Sequence, residues 1–264
     1  MLEGKQAWLA AQGIAYLFVV APNKESIYAE WLPSHLQRPG AVTLLDQLVA
    51  HLREHSRVEI LDLRPPLREA SRQAEVYFPL DTHWNDRGAL GAYRAVCGRL
   101  KAWFPEIEPL GIDDFRVWRG AGFCDLCPMV GWHGVTRDSE FLLPVPRLAA
   151  RPAPLVLPSG YPWPPEHPSR KPLATERSGR TGRLLMFHDS FAAHCLRDYL
   201  AEHFGRCVFL SMKPDFQALE LMVRQERPQV VIEEWVERTV RQVPAPHPGN
   251  RGQVTGNRGQ GTRR

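Results

Sequence analysis

Apolar residues in this chain fall into two kinds of pattern. Some form short unbroken runs; others recur at helical spacing. Residues 16–20 are an apolar run that follows Gly13 and ends at Ala21-Pro22, which predicts a buried strand. Residues 41–54 place Leu44, Leu45, Leu48 and Leu52 on one face and predict an amphipathic helix. A second strand is expected over 58–63, stopped by Pro65-Pro66. Asn85 is placed to cap a helix running to Phe104, with Leu90, Tyr93, Val96, Cys97, Leu100 and Trp103 on its inner face. Further on, the pattern predicts a strand over 184–187, a helix over 191–204, a strand over 207–210, a helix over 215–225 and a last strand over 230–233. Strands alternating with helices argue for a mostly parallel sheet covered on both faces, an α/β class fold.

One stretch breaks this rhythm. Residues 141–172 hold ten prolines, a density that fits neither helix nor sheet interior, so 105–180 is expected to be an irregular Pro-rich excursion between two halves of the sheet. Residues 1–240, this excursion included, are expected to form a single domain, followed by a disordered basic tail over 241–264. No internal repeat is seen.

Charge changes the picture only after it is located. The 264 residues carry a formal net charge of +4, but the tail holds five Arg and no acid, which leaves the body at about −1. A nearly neutral body argues against a nucleic-acid enzyme. With 44% hydrophobic and 23% charged residues, the chain has ample material for a core. No apolar run is long enough for a membrane span. The N-terminus lacks a basic region followed by an apolar one, so no signal peptide is read, and the chain opens directly into a helix. The cysteines are five: Cys97, Cys124, Cys127, Cys195 and Cys207. Their odd number is not that of a disulfide scaffold, and the lone C-x-x-C has no second pair to complete a zinc ribbon. Cys124 and Cys127 are read as structural, or as a disulfide if the protein is exported.

Two segments carry the residue types of chemistry: Asp81-Thr82-His83-Trp84-Asn85, and His188-Asp189-Ser190-Phe191. Sites in open α/β sheets form at the carboxyl ends of strands, and Ser190 lies where a strand hands over to a helix. A serine hydroxyl needs a base, and histidine is the side chain that titrates near neutrality. His83 is the candidate base, Asp81 the carboxylate that would orient it, and Ser190 the nucleophile, with its own N–H at a helix start to meet an oxyanion. Each segment also has a plain reading: Asp81 as a turn cap, Ser190 as an N-cap.

Together these segments resemble the SGNH-hydrolase-like domain of bacterial alginate O-acetyltransferases. Val20-Ala21-Pro22-Asn23-Lys24, Tyr28 and Leu32-Pro33 near the start match as well. So do 227–234 and Glu237-Arg238 near the end. The resemblance implies a three-layer α/β/α fold with a central, mostly parallel sheet, and a triad of Asp81, His83 and Ser190. It implies a periplasmic or cell-envelope acyl-transfer enzyme that moves acetyl groups from an acetyl donor to a polysaccharide such as alginate, or an acetylesterase that removes them, since transfer and hydrolysis differ only in the last acceptor. The partner implied is a membrane-bound acyltransferase; no nucleic acid, metal or organic cofactor is implied. Two departures stand out. His188 occupies the position usually held by glycine, where it either crowds the turn or touches substrate, and the family's usual anchor or signal sequence is not visible. Gly122 is the candidate second oxyanion donor. Trp84, Trp132 and Tyr28 are candidates to stack on sugar rings, and Lys24 to contact an anionic polymer, with ordinary packing and a solvated lysine as the competing readings.

Two rival functions fit the same residues. Asp81, His83, His188 and Asp189 are a plausible ligand set for a metal-dependent hydrolase. A non-catalytic carbohydrate-binding protein on the same fold is the other.

Overall fold

A computed structural model describes residues 1–145, 148–164 and 171–240. In chain order its helices are α1 (Leu2–Ala10), α2 (Lys24–Ile27), α3 (Leu44–His55), α4 (Arg64–Ser71), α5 (Asp86–Leu100), α6 (Ser190–Ala193), α7 (Leu196–Leu200) and α8 (Phe216–Glu226). Its strands are β1 (Ala15–Ala21), β2 (Glu59–Asp62), β3 (Phe115–Ala121), β4 (Asp138–Pro144), β5 (Arg151–Ala153), β6 (Leu173–Glu176), β7 (Arg183–Phe187), β8 (Arg206–Leu210) and β9 (Val230–Val236).

Seven strands make one sheet in the order β2-β1-β9-β7-β8-β6-β5. Pairing is parallel from β2 through β8, and β6 and β5 add on antiparallel. The unbroken apolar runs are explained by burial on both faces. Along β1, Leu17, Val19 and Ala21 join a cluster with Leu67 of α4, Leu90, Tyr93 and Val96 of α5, and Leu196 and Tyr199 of α7. Tyr16, Phe18 and Val20 join the opposite cluster with Leu9 of α1, Leu45, Val49 and Leu52 of α3, and Leu219 and Met222 of α8. This is the expected α/β/α layering. The fixed period of two sends successive residues to opposite layers.

The central strand β9 also carries two consecutive fully buried acids, Glu233 and Glu234. Glu233 faces α1, where buried Lys5 donates to it at 2.7 Å and to the Pro214 carbonyl at 2.8 Å, and Tyr16 O–H donates to it at 3.0 Å. A charge so deep is tolerable only when paired. Lys5 thus ties α1 to β9, alongside the packing of Leu9.

Three expectations are corrected. Pro65-Pro66 do not simply end a strand; they sit in the first turn of α4, where the missing N–H groups have no intrahelical acceptor to lose. The segment expected to be irregular contains β3 and β4, which pair antiparallel over seven residues each, and β5, which carries Pro152 on the outermost strand, the edge position proline tolerates. The helix expected over 191–204 is broken. α6 stops at Ala193, and α7 begins at Leu196. Between them Leu196 N–H donates to the His194 carbonyl at 2.7 Å across Cys195, which has φ 62 and ψ −40. That is a γ-turn of the rare positive-φ kind, strained by about 1–3 kcal/mol at a non-glycine residue. The tail at 241–264, expected to be disordered, lies outside the described residues.

Candidate active site

The site gathers at the carboxyl ends of β1, β9 and β7. Residues 188–190 leave β7 and open α6. Asp189 is the N-cap of that helix: its Oδ1 accepts the Phe191 N–H at 2.9 Å and its Oδ2 accepts the Val236 N–H at 2.7 Å, tying the turn to the end of β9. Ser190 is therefore not the cap but the first residue inside the helix. It is exposed, and its N–H has no acceptor among the described residues. Behind it, Glu234 Oε2 accepts the Asp189 N–H at 3.2 Å. Burial, followed by the Asp189 charge, holds the Glu234 carboxyl well above the usual carboxylate range.

His83 reaches this turn from the loop between α4 and α5. Its Nε2 lies 2.8 Å from Ser190 Oγ, and its Nδ1 lies 2.7 Å from Asp81 Oδ1. The ring also packs on Phe191, centroid to centroid 4.8 Å. Asp81, 4% exposed, has a carboxyl that burial alone would raise; the ring and backbone N–H of His83 and the Asp125 N–H outweigh this and hold it below the usual range. The three residues singled out for catalysis thus form one continuous hydrogen-bonded relay.

The loop bearing Asp81 and His83 is held from two sides. Lys24 Nζ donates to the carbonyls of Phe78, Pro79 and Asp81 at 2.6, 2.8 and 3.1 Å. On the other side stands the loop joining β3 to β4, where Cys124 and Cys127 form a disulfide around Asp125. The Asp125 N–H donates to Asp81 Oδ2 at 2.9 Å, and the Asp125 carboxylate accepts the Thr82 N–H at 2.8 Å and the Thr82 hydroxyl.

The substrate-contact candidates fare differently. Lys24 is not free for an anionic polymer, because its ammonium is spent on three carbonyls of the loop bearing Asp81 and His83. Trp84 is fully buried, edge-on to Phe191, and has no face for a sugar. Tyr28 is 9% exposed; its hydroxyl accepts the Val76 N–H at 2.9 Å and its ring is covered by exposed Trp31 at 4.7 Å. Trp132 stays exposed. His188 does line the cavity, but from within: 3% exposed, it donates from Nδ1 to the Asp189 carbonyl at 2.7 Å, and burial pushes it down to about 4. Gly122 is excluded as an oxyanion donor by its N–H bond to the Arg137 carbonyl at 3.0 Å.

The open cavity over Ser190 measures about 690 Å³ and is walled by Phe78, Phe123, His188, His194 and Met212. The proposed metal set does not form. Both Asp189 oxygens accept backbone N–H groups, and His188 Nδ1 is turned to its own neighbour's carbonyl. Among the described residues, donor atoms do converge in two other groups, Asp81-His83-Asp125 and Asp86-His194-Cys195. In each, the histidine is already hydrogen-bonded to a carboxylate, at 2.7 and 2.8 Å. Sequence reasoning missed Asp125 and His194. Asp125 could have been noticed through the C-x-x-C that brackets it; His194 looked like one more residue of a helix.

Residues 1–121 match the model of the SGNH hydrolase-like domain of acetyltransferase AlgX, which bears out the resemblance read from the sequence. The chain is 29% identical over 98 residues to the probable alginate O-acetylase AlgJ of Pseudomonas putida, a match spanning 36% of this chain and only 25% of that protein. Among solved structures it is similar to Bacillus cereus PatB1, with a TM-score of 0.64 at 15% identity over 90% of this chain and 88% of the other. It is similar too to the O-acetyltransferase domain of Pseudomonas putida AlgJ, with a TM-score of 0.59 at 17% identity over 92% and 82%. The fold is SGNH-hydrolase-like.

Proposed function

We propose that this protein is a serine acyl-transfer enzyme that O-acetylates hydroxyls of a cell-envelope polysaccharide. The observation that carries the reading is the unbroken relay from Asp81 through His83 to an exposed Ser190. His83 takes the Ser190 proton as Oγ attacks an acetyl ester. Asp81 keeps the Nδ1–H tautomer, so that Nε2 faces the serine, and stabilises the imidazolium that forms. The oxyanion meets the unspent Ser190 N–H, and the leaving alcohol takes the proton from His83. In the second half His83 deprotonates the acceptor hydroxyl, the acceptor oxygen attacks the acetyl carbonyl, and the imidazolium of His83 returns the proton to Ser190 Oγ as the acetyl–serine bond breaks.

The relative named as an alginate O-acetylase supports an alginate-type acceptor. The Cys124–Cys127 disulfide supports an oxidising compartment such as the periplasm. The resemblance to alginate O-acetyltransferases supports a separate membrane-bound acyltransferase as the source of the acetyl group; no helix among the described residues is long and apolar enough to cross a membrane. A complete relay is what a purely carbohydrate-binding protein has no need to keep.

The test is intact-mass analysis after incubation with p-nitrophenyl acetate. Wild type is expected to gain one acetyl group and Ser190→Ala none. An unmodified wild type, or acetylation that survives in Ser190→Ala, refutes the assignment.

A further inference from the structure

A second histidine–carboxylate pair stands at the same cavity, outside the relay. His194 Nε2 lies 2.8 Å from Asp86 Oδ1, and Asp86 is buried with its Oδ2 accepting the Leu142 N–H at 2.7 Å. A carboxylate only accepts, so Nε2 carries the proton and Nδ1 is left as the acceptor. Nδ1 has no protein partner among the described residues. The ring is partly exposed on the cavity wall and steadied by the edges of Phe78 and Phe123, at 5.3 and 5.9 Å.

The backbone points the same way. Sequence periodicity favours an uninterrupted helix from Phe191, yet the chain breaks at His194 and adopts a strained turn at Cys195. In a continuous helix His194 would follow the turn of its neighbours; the break gives it extended geometry, φ −90 and ψ 103. Strain held beside a reactive group is where function most often explains it. Asp86, the first residue of α5, is fixed by its bond to β4, so the imidazole is oriented by two rigid elements. His83 presents Nε2 to the serine and gives Nδ1 to its acid. His194 does the reverse and offers an acceptor rather than a base in contact with Ser190.

We propose that His194, oriented by Asp86, is an acceptor-binding residue that takes a hydrogen bond from a saccharide hydroxyl adjacent to the one being acetylated. This rests on the acyl-transfer reading above. A sugar ring has neighbouring hydroxyls and water does not, so one imidazole activating the attacking oxygen and another holding its neighbour favours sugar over water at the acetyl-serine stage. The group favours transfer over hydrolysis without entering the first half-reaction.

The test separates the two half-reactions. Acetylation of Ser190 by p-nitrophenyl acetate is followed by intact mass on a rapid-quench time scale. Loss of the acetyl group is then partitioned between water and soluble oligomannuronate in wild type, His194→Gln, His194→Phe and Asp86→Asn. Transfer to the oligosaccharide is expected to fall at least tenfold more than the acetylation rate in both His194 variants, and in the same direction by a smaller factor in Asp86→Asn. Acetylation also reports that each variant is folded. Equal losses in both steps, an unchanged partition, or a wild type that is acetylated but transfers nothing to oligomannuronate overturns the proposal while leaving Ser190 as nucleophile. A wild type that is never acetylated overturns the acyl-transfer reading itself.

Discussion

Reducing the Cys124–Cys127 disulfide should slow the enzyme without unfolding it. The bridge closes a loop of only four residues, 124–127, for which the chain-entropy relation gives about 2 kcal/mol. That loop meets the catalytic loop through the Asp125 N–H on Asp81 at 2.9 Å, the Thr82 N–H on Asp125 at 2.8 Å and the Leu126 N–H on the Leu80 carbonyl at 3.4 Å. These lie at a partly exposed edge, where such bonds contribute roughly 1 kcal/mol each net. Ordering the loop costs about 1–2 kcal/mol per residue in backbone entropy, which offsets most of these bonds and leaves the bridge as a large share of what favours the docked state. Releasing it should leave a sizeable undocked population in which Asp81 loses one of its donors. Turnover of p-nitrophenyl acetate should fall about 3- to 10-fold in the reduced enzyme and in a Cys124→Ser/Cys127→Ser variant, and reoxidation should restore only the former. The melting temperature should move little, because neither core cluster includes the loop tip. Full activity in the double variant, with the bridge shown by mass to be present in wild type, would refute the idea that this loop positions the acid.

Further outcomes follow from individual contacts. Asp81→Asn should keep the fold and lower turnover roughly 10²- to 10⁴-fold, since His83 loses its anionic acceptor; a variant within threefold of wild type would remove Asp81 from the relay. Lys24→Met leaves three carbonyls of the catalytic loop without their donor and should cost about 1–2 kcal/mol in urea unfolding, with a drop in turnover and little change in KM. Stability should also fall in acid. Burial lowers His188 from 6.5 to about 4, so its contribution is complete above pH 6.5 and is lost as pH drops towards 4, because the unfolded chain takes the proton first; the loss is about 3 kcal/mol. Buried His203, also lowered to about 4, acts in the same direction. Unfolding free energies at pH 7, 5.5 and 4 check this, and a His188→Gln variant with an unchanged slope would contradict it.

The parallel half of the sheet was legible because β1, β7 and β8 are buried on both faces and therefore read as continuous apolar runs. What escaped was structure whose signal is not hydrophobic periodicity. β3 leaves most of its residues exposed, and so has no clean alternation to follow. α4 begins with Arg64-Pro65-Pro66, which reads as a stop until the first-turn rule for proline is applied. The break at His194-Cys195 is invisible in composition, since neither residue is a helix breaker; only tertiary contacts to Asp86 and the cavity select it. Lys24, Tyr28 and Trp84 were misjudged for a related reason. Residue type says that an aromatic ring or an amine can meet a sugar or an anion, but not whether the chain has already used it internally.

The relay itself shows why two readings of Asp81 that look like rivals in sequence are the same structure. Asp81 Oδ1 accepts the backbone N–H of His83 at 2.8 Å and its ring Nδ1–H at 2.7 Å. The first bond is the side-chain turn that aspartate makes with the residue two positions on; the second is the orienting bond a catalytic imidazole needs. A spacing of one or three residues would not let one oxygen take both. The turn fixes the His83 backbone relative to the carboxylate, so the ring has few rotamers left before its far nitrogen meets Ser190 Oγ at 2.8 Å. Oδ2 remains for the Asp125 N–H, and the carboxylate is satisfied without reaching across the sheet. The aspartate that caps the turn is thus the aspartate that orients the His83 ring. The short D-x-H segment holds acid and base in register through local hydrogen bonds, and only the serine has to be delivered by the fold.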